Sequence, residues 1–173
     1  MRYQGPAYRA HHPQWSWSPL SGDGARVHGG RFNSKGVQAL YLSLDWSTAV
    51  VEASQGFAFR IPPLTIVTYE VDCADIVDLT DAGELKRLGT RRADLACAWK
   101  LLAETGQPVP SWTLTERLRA ADFAGIIVPS FAVGAAAGAR NLVLWRWSDD
   151  IPHKVTVFDP EGRLPRDDSS WRR

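Results

Sequence analysis

Metal-spaced cysteines, basic tracts and membrane-length apolar runs are all missing from this chain. Its two cysteines, Cys73 and Cys97, are far apart and match no metal-binding spacing. A reduced pair is expected rather than a disulfide. His11 and His12 are adjacent, so their side chains diverge in any regular structure, and no second ligand pair accompanies them. A metal site is not expected. No long run of Lys or Arg occurs and the net charge is +1, so the electrostatic footprint of a general nucleic-acid binder is missing. No apolar run approaches the length that spans a bilayer. Residues 1–6 hold no apolar segment of the kind a signal peptide needs. These absences predict a soluble, cytoplasmic protein with no direct nucleic-acid or membrane partner.

Several catalytic fingerprints are absent too. Ser130 follows a predicted strand, but its setting is Val-Pro-Ser-Phe and not a G-x-S-x-G elbow. The segment 134–138 is alanine-rich and lacks the lysine of a phosphate-binding loop. A glycosidase pair would need a second acid beside Glu52; Asp45 is the candidate, but it is better placed as a helix cap.

What is present suits one globular domain. The chain has 173 residues, 45% hydrophobic and 23% charged, enough to bury a real core. Eight tryptophans exceed what a core needs by itself and fit an aromatic-rich surface or pocket as well.

Residues 6–10 read as a first strand. Residues 11–28 follow as a long irregular stretch with Pro13, Pro19, Gly22 and Gly24, in which Trp15 and Trp17 are expected to pin the loop to the body, the alternative being that they line a pocket. At 39–43 Leu40 and Leu42 share one face of a strand and Tyr41 takes the other. A helix over 45–54 is capped by Ser43 or Asp45 and turns Trp46, Ala49, Val50 and Ala53 to the core. Glu52 lies off that stripe, at the edge of a cleft. Strands follow at 64–71 and 76–78, and helices at 81–88 and 93–104. Leu95, Trp99 and Leu102 make the stripe of the second helix. Thr113 and Glu116 have capping-box spacing and open a helix that runs to 121. Strands at 125–128, 141–147 and 154–158 complete the pattern, and the polar tail 160–173 is expected to fray. Strands first, helices in the middle and strands last predict an α+β fold with a mixed, mostly antiparallel sheet.

The stretch 29–43 draws the functional reading. It is glycine-punctuated, with Gly36 available for a positive φ, and sets Arg31 and Tyr41 on either side of a turn. Arg31, Tyr41 and Glu52 brought together can hold an anionic, aromatic ligand. Taken singly, each has a plainer explanation: a solvated arginine, a half-buried strand tyrosine, a solvated glutamate, and in Ser130 a turn residue. Only the spacing of the set argues for more.

In these residues the chain resembles the RES domain, the toxin component of a class of bacterial toxin–antitoxin pairs. The family's arginine falls on Arg31 in Gly-Gly-Arg-Phe-Asn, its glutamate on Glu52 in Ser-Thr-Ala-Val-Val-Glu, and its serine on Ser130 in Val-Pro-Ser. The tyrosine of a Leu-Tyr-Leu-Ser strand falls on Tyr41. Tyr8-Arg9-Ala10 and Asn141-Leu142-Val143-Leu144 resemble the family's ends, so the likeness spans residues 6–147. Phe32 departs from it, standing where tryptophan is commoner. The resemblance implies a fold akin to ADP-ribosyltransferase toxins over 1–159, with NAD as substrate. It implies catalytic roles for Glu52, Arg31 and Tyr41, and dinucleotide contacts from Arg31, Tyr41, Ser130 and Asn33. It also implies a partner antitoxin with an Xre-type helix-turn-helix domain that blocks the cleft.

The chemistry is consistent with this. Breaking the nicotinamide–ribose bond builds positive charge on the ribose, which the carboxylate of Glu52 can stabilise. Arg31 can grip an anionic oxygen, and Tyr41 offers a face to nicotinamide. Water, phosphate or a protein side chain can accept the ADP-ribose. Val50, where arginine-modifying transferases often carry a second glutamate, weighs against an arginine acceptor. Two other classes stay open: an interaction module in which Arg31 and Glu52 form a structural ion pair, and a ribonuclease toxin, which the near-neutral charge disfavours.

Overall fold

The computed structural model describes residues 1–54 and 61–172. Among these residues seven strands and six short α-helices follow in the order β1 (Tyr3–His11), α1 (Asp23–His28), β2 (Leu40–Ser43), α2 (Trp46–Ser54), β3 (Thr65–Cys73), β4 (Ile76–Asp78), α3 (Ala82–Arg87), α4 (Arg92–Leu95), α5 (Trp99–Glu104), α6 (Pro110–Ala120), β5 (Gly125–Pro129), β6 (Arg140–Leu144) and β7 (His153–Val157). One sheet takes them in the order β4-β5-β6-β2-β1-β3-β7. Only β4 and β5 run parallel; the other neighbours are antiparallel. The expected α+β class with a mostly antiparallel sheet is what forms. No helix among the described residues is long and apolar enough to cross a membrane.

Strand alternation divides the core between the two faces of the sheet. Leu40, Leu42, Ile127, Leu142 and Leu144 join one apolar cluster with Val67, Tyr69 and Val71. Tyr41, Ile126, Val128 and Val143 point the other way, into a cluster with Leu95, Leu114, Leu118 and Trp145. A period of two puts successive side chains on opposite faces, so central strands buried on both sides are apolar throughout. Gly125 is required at this crowded centre, because a Cβ there would lie 2.4 Å from the carbonyl oxygen of Val143.

The helices differ from expectation in instructive ways. Residues 23–28, expected as loop, form α1, with Ser21 Oγ accepting from the Asp23 N–H at 3.1 Å. The expected helix over 93–104 is two, α4 and α5, interrupted at residues 96–98. The third helix starts earlier than its Thr113/Glu116 spacing suggested. Pro110 stands in its first turn, where a missing N–H costs nothing, and no side chain caps it. Ser111, Leu114, Thr115 and Leu118 form its buried face. In α2, Trp46 is 60% exposed and not core-facing, while Thr48 and Ala49 are buried. Asp45 does cap α2, accepting from the Thr48 N–H at 2.7 Å and from the Thr48 hydroxyl at 2.5 Å. Gly36 does adopt the left-handed region, with φ +91°.

The tail is held at several points rather than frayed. Asp159 accepts from the N–H groups of Arg163 and Leu164 at 2.9 and 3.0 Å. Leu164 packs on the core, and Trp171 meets the His12 ring edge-on at 5.4 Å.

Candidate active site

The turn between α1 and β2 is held by its own side chains. The Asn33 amide donates to the carbonyls of Ala25 at 2.8 Å, Val37 at 2.9 Å and Ser34 at 3.2 Å. The Tyr41 hydroxyl donates to Asn33 Oδ1 at 2.7 Å and accepts from the Phe32 N–H at 3.0 Å. Burial pushes the Tyr41 phenol well above its ordinary pKa, so it stays a neutral donor. Gly30 must lack a side chain, since a Cβ would lie 2.5 Å from that hydroxyl. Asn33, 1% exposed, is therefore spent on the turn. The sequence reading gave Asn33 a contact to the dinucleotide and Tyr41 a contact to nicotinamide. In the structure the polar atoms of both work inward, shaping the loop that carries Arg31.

Arg31 is half-buried at the tip of this loop. Its Nη1 donates to the carbonyls of Cys97 at 2.6 Å and Leu95 at 3.3 Å, which the break between α4 and α5 leaves available. Its guanidinium carbon lies 4.8 Å from the centre of the Phe131 ring. That is within cation–π range. Burial lowers the Arg31 pKa; the surroundings of Cys97, Glu52 and Tyr41 pull the other way. The group remains cationic, because arginine starts so high.

Glu52 comes from α2. Its Oε1 accepts from Ser130 Oγ at 2.6 Å and from Asn141 Nδ2 at 2.5 Å. Ser130 lies just past β5, its N–H bonded to Ala139 O at 2.8 Å. Asn141 lies on β6, paired in register with Ser43 of β2. Ser43 Oγ donates to Asn141 Oδ1 at 2.8 Å, which leaves the amide NH₂ to face Glu52. Among the described residues Oε2 has no protein donor.

Arg31, Glu52 and Asn141 line one cleft of about 310 Å³ with Phe32, Trp99, Phe131, Ala132 and Val133. A second hollow of about 500 Å³ shares Arg31 and Trp99 with it and adds Lys100 and Glu104. A larger hollow of about 530 Å³ lies over β1 and β3, with Glu70, Asp72, Lys154 and Phe158 in its lining, but it takes in neither Arg31 nor Glu52. Among the described residues Arg31 and Glu52 form no ion pair. Each is held by other partners and each lines the cleft. The structure thus brings Arg31, Glu52 and Ser130 together, as the sequence spacing suggested. It adds Asn141, Phe131 and Trp99, which sequence reasoning did not select for a site. Asn141 stands in the family-like segment Asn141-Leu142-Val143-Leu144, but its place beside Glu52 comes from the pairing of β2 with β6.

Such a cleft presents a fixed carboxylate oxygen, a cation whose remaining N–H groups have no protein acceptor among the described residues, and flat apolar walls. It suits a ligand with anionic oxygens and planar rings, on which positive charge develops near Glu52.

A family model described as RES domain matches residues 6–167. No curated protein gives a significant match. Among solved structures, a chain of the crystal structure of the M. tuberculosis MbcT-MbcA toxin-antitoxin complex is similar, with a TM-score of 0.61 at 22% identity. The match covers 92% of this chain and 84% of that one. At this identity the likeness is one of fold.

Proposed function

Since the chain belongs to the RES domain family, we propose that it consumes NAD and is the toxin of a toxin–antitoxin pair. The observation that carries this is the Glu52 carboxylate. Ser130 and Asn141 hold its Oε1, and it lines the same cleft as Arg31.

NAD enters with its nicotinamide–ribose bond beside Glu52. The remaining N–H groups of Arg31 take an anionic or ribose oxygen, while Nη1 stays on the carbonyls of Leu95 and Cys97. Trp99 and Phe131 supply flat walls for the rings. Nicotinamide departs with the electron pair of the C–N bond, leaving an oxocarbenium-like ribose. Glu52 stabilises that charge and holds a ribose hydroxyl. Water, phosphate or a protein side chain then bonds to the ribose carbon and gives up a proton. Ser130 orients Glu52 through the hydrogen bond its hydroxyl donates to the carboxylate. Tyr41 and Asn33 act through the shape of the Arg31 loop.

In this reading residues 1–159 form the catalytic domain of a cytoplasmic protein. Its partner is an antitoxin with an Xre-type helix-turn-helix domain, which silences the toxin by covering the cleft. The similarity in fold to a chain from a toxin–antitoxin complex supports such a partner.

The test is to incubate purified, antitoxin-free protein with NAD, with and without phosphate and with a cell lysate, and to follow products by mass spectrometry. Free nicotinamide with ADP-ribose or its phosphate identifies NAD degradation. An ADP-ribose mass on one lysate protein identifies a transferase and its target. Intact NAD from folded protein puts an interaction module in front. The exposure of Trp15 and Trp17, at 56% and 39%, is what favours that second reading.

A further inference from the structure

The loop from Gly29 to Ala39 belongs to no named strand or helix, and an isolated Gly30–Asn33 bridge is the one ladder pairing of its backbone among the described residues. Yet the carbonyls of Gly30, Arg31 and Phe32 are all engaged by side chains. Trp112 Nε1 donates to Gly30 O at 2.8 Å, Ser111 Oγ to Arg31 O at 2.6 Å, and Trp145 Nε1 to Phe32 O at 3.0 Å. Ser111 and Trp112 open α6, and Trp145 directly follows β6. The donors therefore come from two separate parts of the core.

Ser111 is the most telling of them. It sits in the first turn of α6, on the buried face with Leu114, Thr115 and Leu118, and is 0% exposed. A hydroxyl buried so deeply is costly unless it is bonded. Its partner is the main chain of Arg31. The same residue's guanidinium is tied to Leu95 and Cys97, and Cys97 Sγ in turn lies 3.5 Å from Ser111 Oγ. Arg31 is thus held at both ends, carbonyl and guanidinium, by one helical layer. Trp112 extends the arrangement: its ring packs against Trp99, which lines the cleft, at 6.4 Å between centroids.

We infer that Ser111, Trp112 and Trp145 are positioning residues that set Arg31 in the cleft through its backbone, and so govern the affinity for the anionic oxygens of the substrate. This rests on the NAD reading above. None of the three need touch the dinucleotide through its hydrogen-bonding atom; each acts through the loop.

The experiment measures NAD turnover and folding together for Ser111→Ala, Trp112→Phe and Trp145→Phe. Each removes one donor and keeps most of the volume. A role in positioning Arg31 raises KM for NAD about three- to tenfold per donor, with kcat nearly kept, as expected for loss of one hydrogen bond. A purely structural role lowers the folded fraction, and with it apparent kcat, at wild-type KM. A second readout is coupling. In an Arg31→Lys background, Ser111→Ala should raise KM no further, because the fork it positions is gone. Should Ser111→Ala fail to fold, Trp112→Phe, at a partly exposed position, carries the same test. Wild-type KM in folded variants, or full additivity with Arg31→Lys, overturns the inference alone. A wild-type protein that releases no nicotinamide overturns the NAD reading and this inference with it.

Discussion

The side-chain amide of Asn141 donates to Oε1 of Glu52 at 2.5 Å, across 89 residues of chain. The same oxygen accepts from Ser130, so two donors on neighbouring strand ends fix one carboxylate from a helix.

The first prediction concerns that carboxylate. Glu52→Gln keeps the shape and can keep an oxygen facing both donors, but it removes the charge. NAD cleavage should fall by about a hundredfold or more, the scale seen when a group that stabilises transition-state charge is lost. Circular dichroism and melting temperature should stay near wild type. Toxicity of a folded Glu52→Gln protein equal to wild type would remove Glu52 from the mechanism.

A second prediction follows the chain from Ser43 through Asn141 to Glu52. Asn141→Ala deletes the donor at Glu52 and leaves the Ser43 hydroxyl without its acceptor. Activity should drop by about tenfold, as for loss of a hydrogen bond to a charged group. Ser43→Ala should cost less, because it frees the amide to rotate without removing it. Steady-state kinetics on the two variants gives the order directly, and a larger loss for Ser43→Ala would break the proposed sequence of contacts.

Tyr41→Phe tests the inward role of the tyrosine. The change orphans the Phe32 N–H and Asn33 Oδ1. Leaving buried polar groups unpaired should cost about 1–3 kcal/mol. Urea denaturation with an unchanged m-value is the check. Wild-type stability would mean that water replaces the hydroxyl, and that the loop does not depend on it.

A fourth prediction concerns acid. Burial lowers the His11 imidazole to about 4, helped by the nearby Arg9 and His12. Its buried Nδ1 has no hydrogen-bond partner among the described residues. The folded form keeps this histidine neutral, whereas the unfolded chain takes up a proton near pH 6.5. Stability from this group is complete above about pH 6.5 and is lost as the pH falls towards about 4. Allowing for its partial exposure, the loss should be on the order of 1–2 kcal/mol. Melting curves from pH 7 to 4 should show it, and His11→Gln should flatten the slope. An unchanged slope in His11→Gln would assign the acid sensitivity to other groups.

Local order was legible in the residues themselves. The Leu40–Tyr41–Leu42 alternation and the capping of α2 by Asp45 depend only on neighbours a few residues away, and both formed as read. The α+β class followed from the order of such segments. What tertiary structure decided was every partner at long range. The break between α4 and α5 frees carbonyls that Arg31 uses, and nothing local marks it. Trp46 looked apolar by spacing, yet it is 60% exposed, because helical period names a stripe and packing chooses which stripe is covered. Tyr41 and Asn33 were read as ligand contacts, and the structure adds a role that local sequence did not show, the bonding of their polar atoms within the turn. Asn141 takes its place beside Glu52 through the register that sets it opposite Ser43. Register is a property of the assembled sheet, so a single strand's sequence does not contain it.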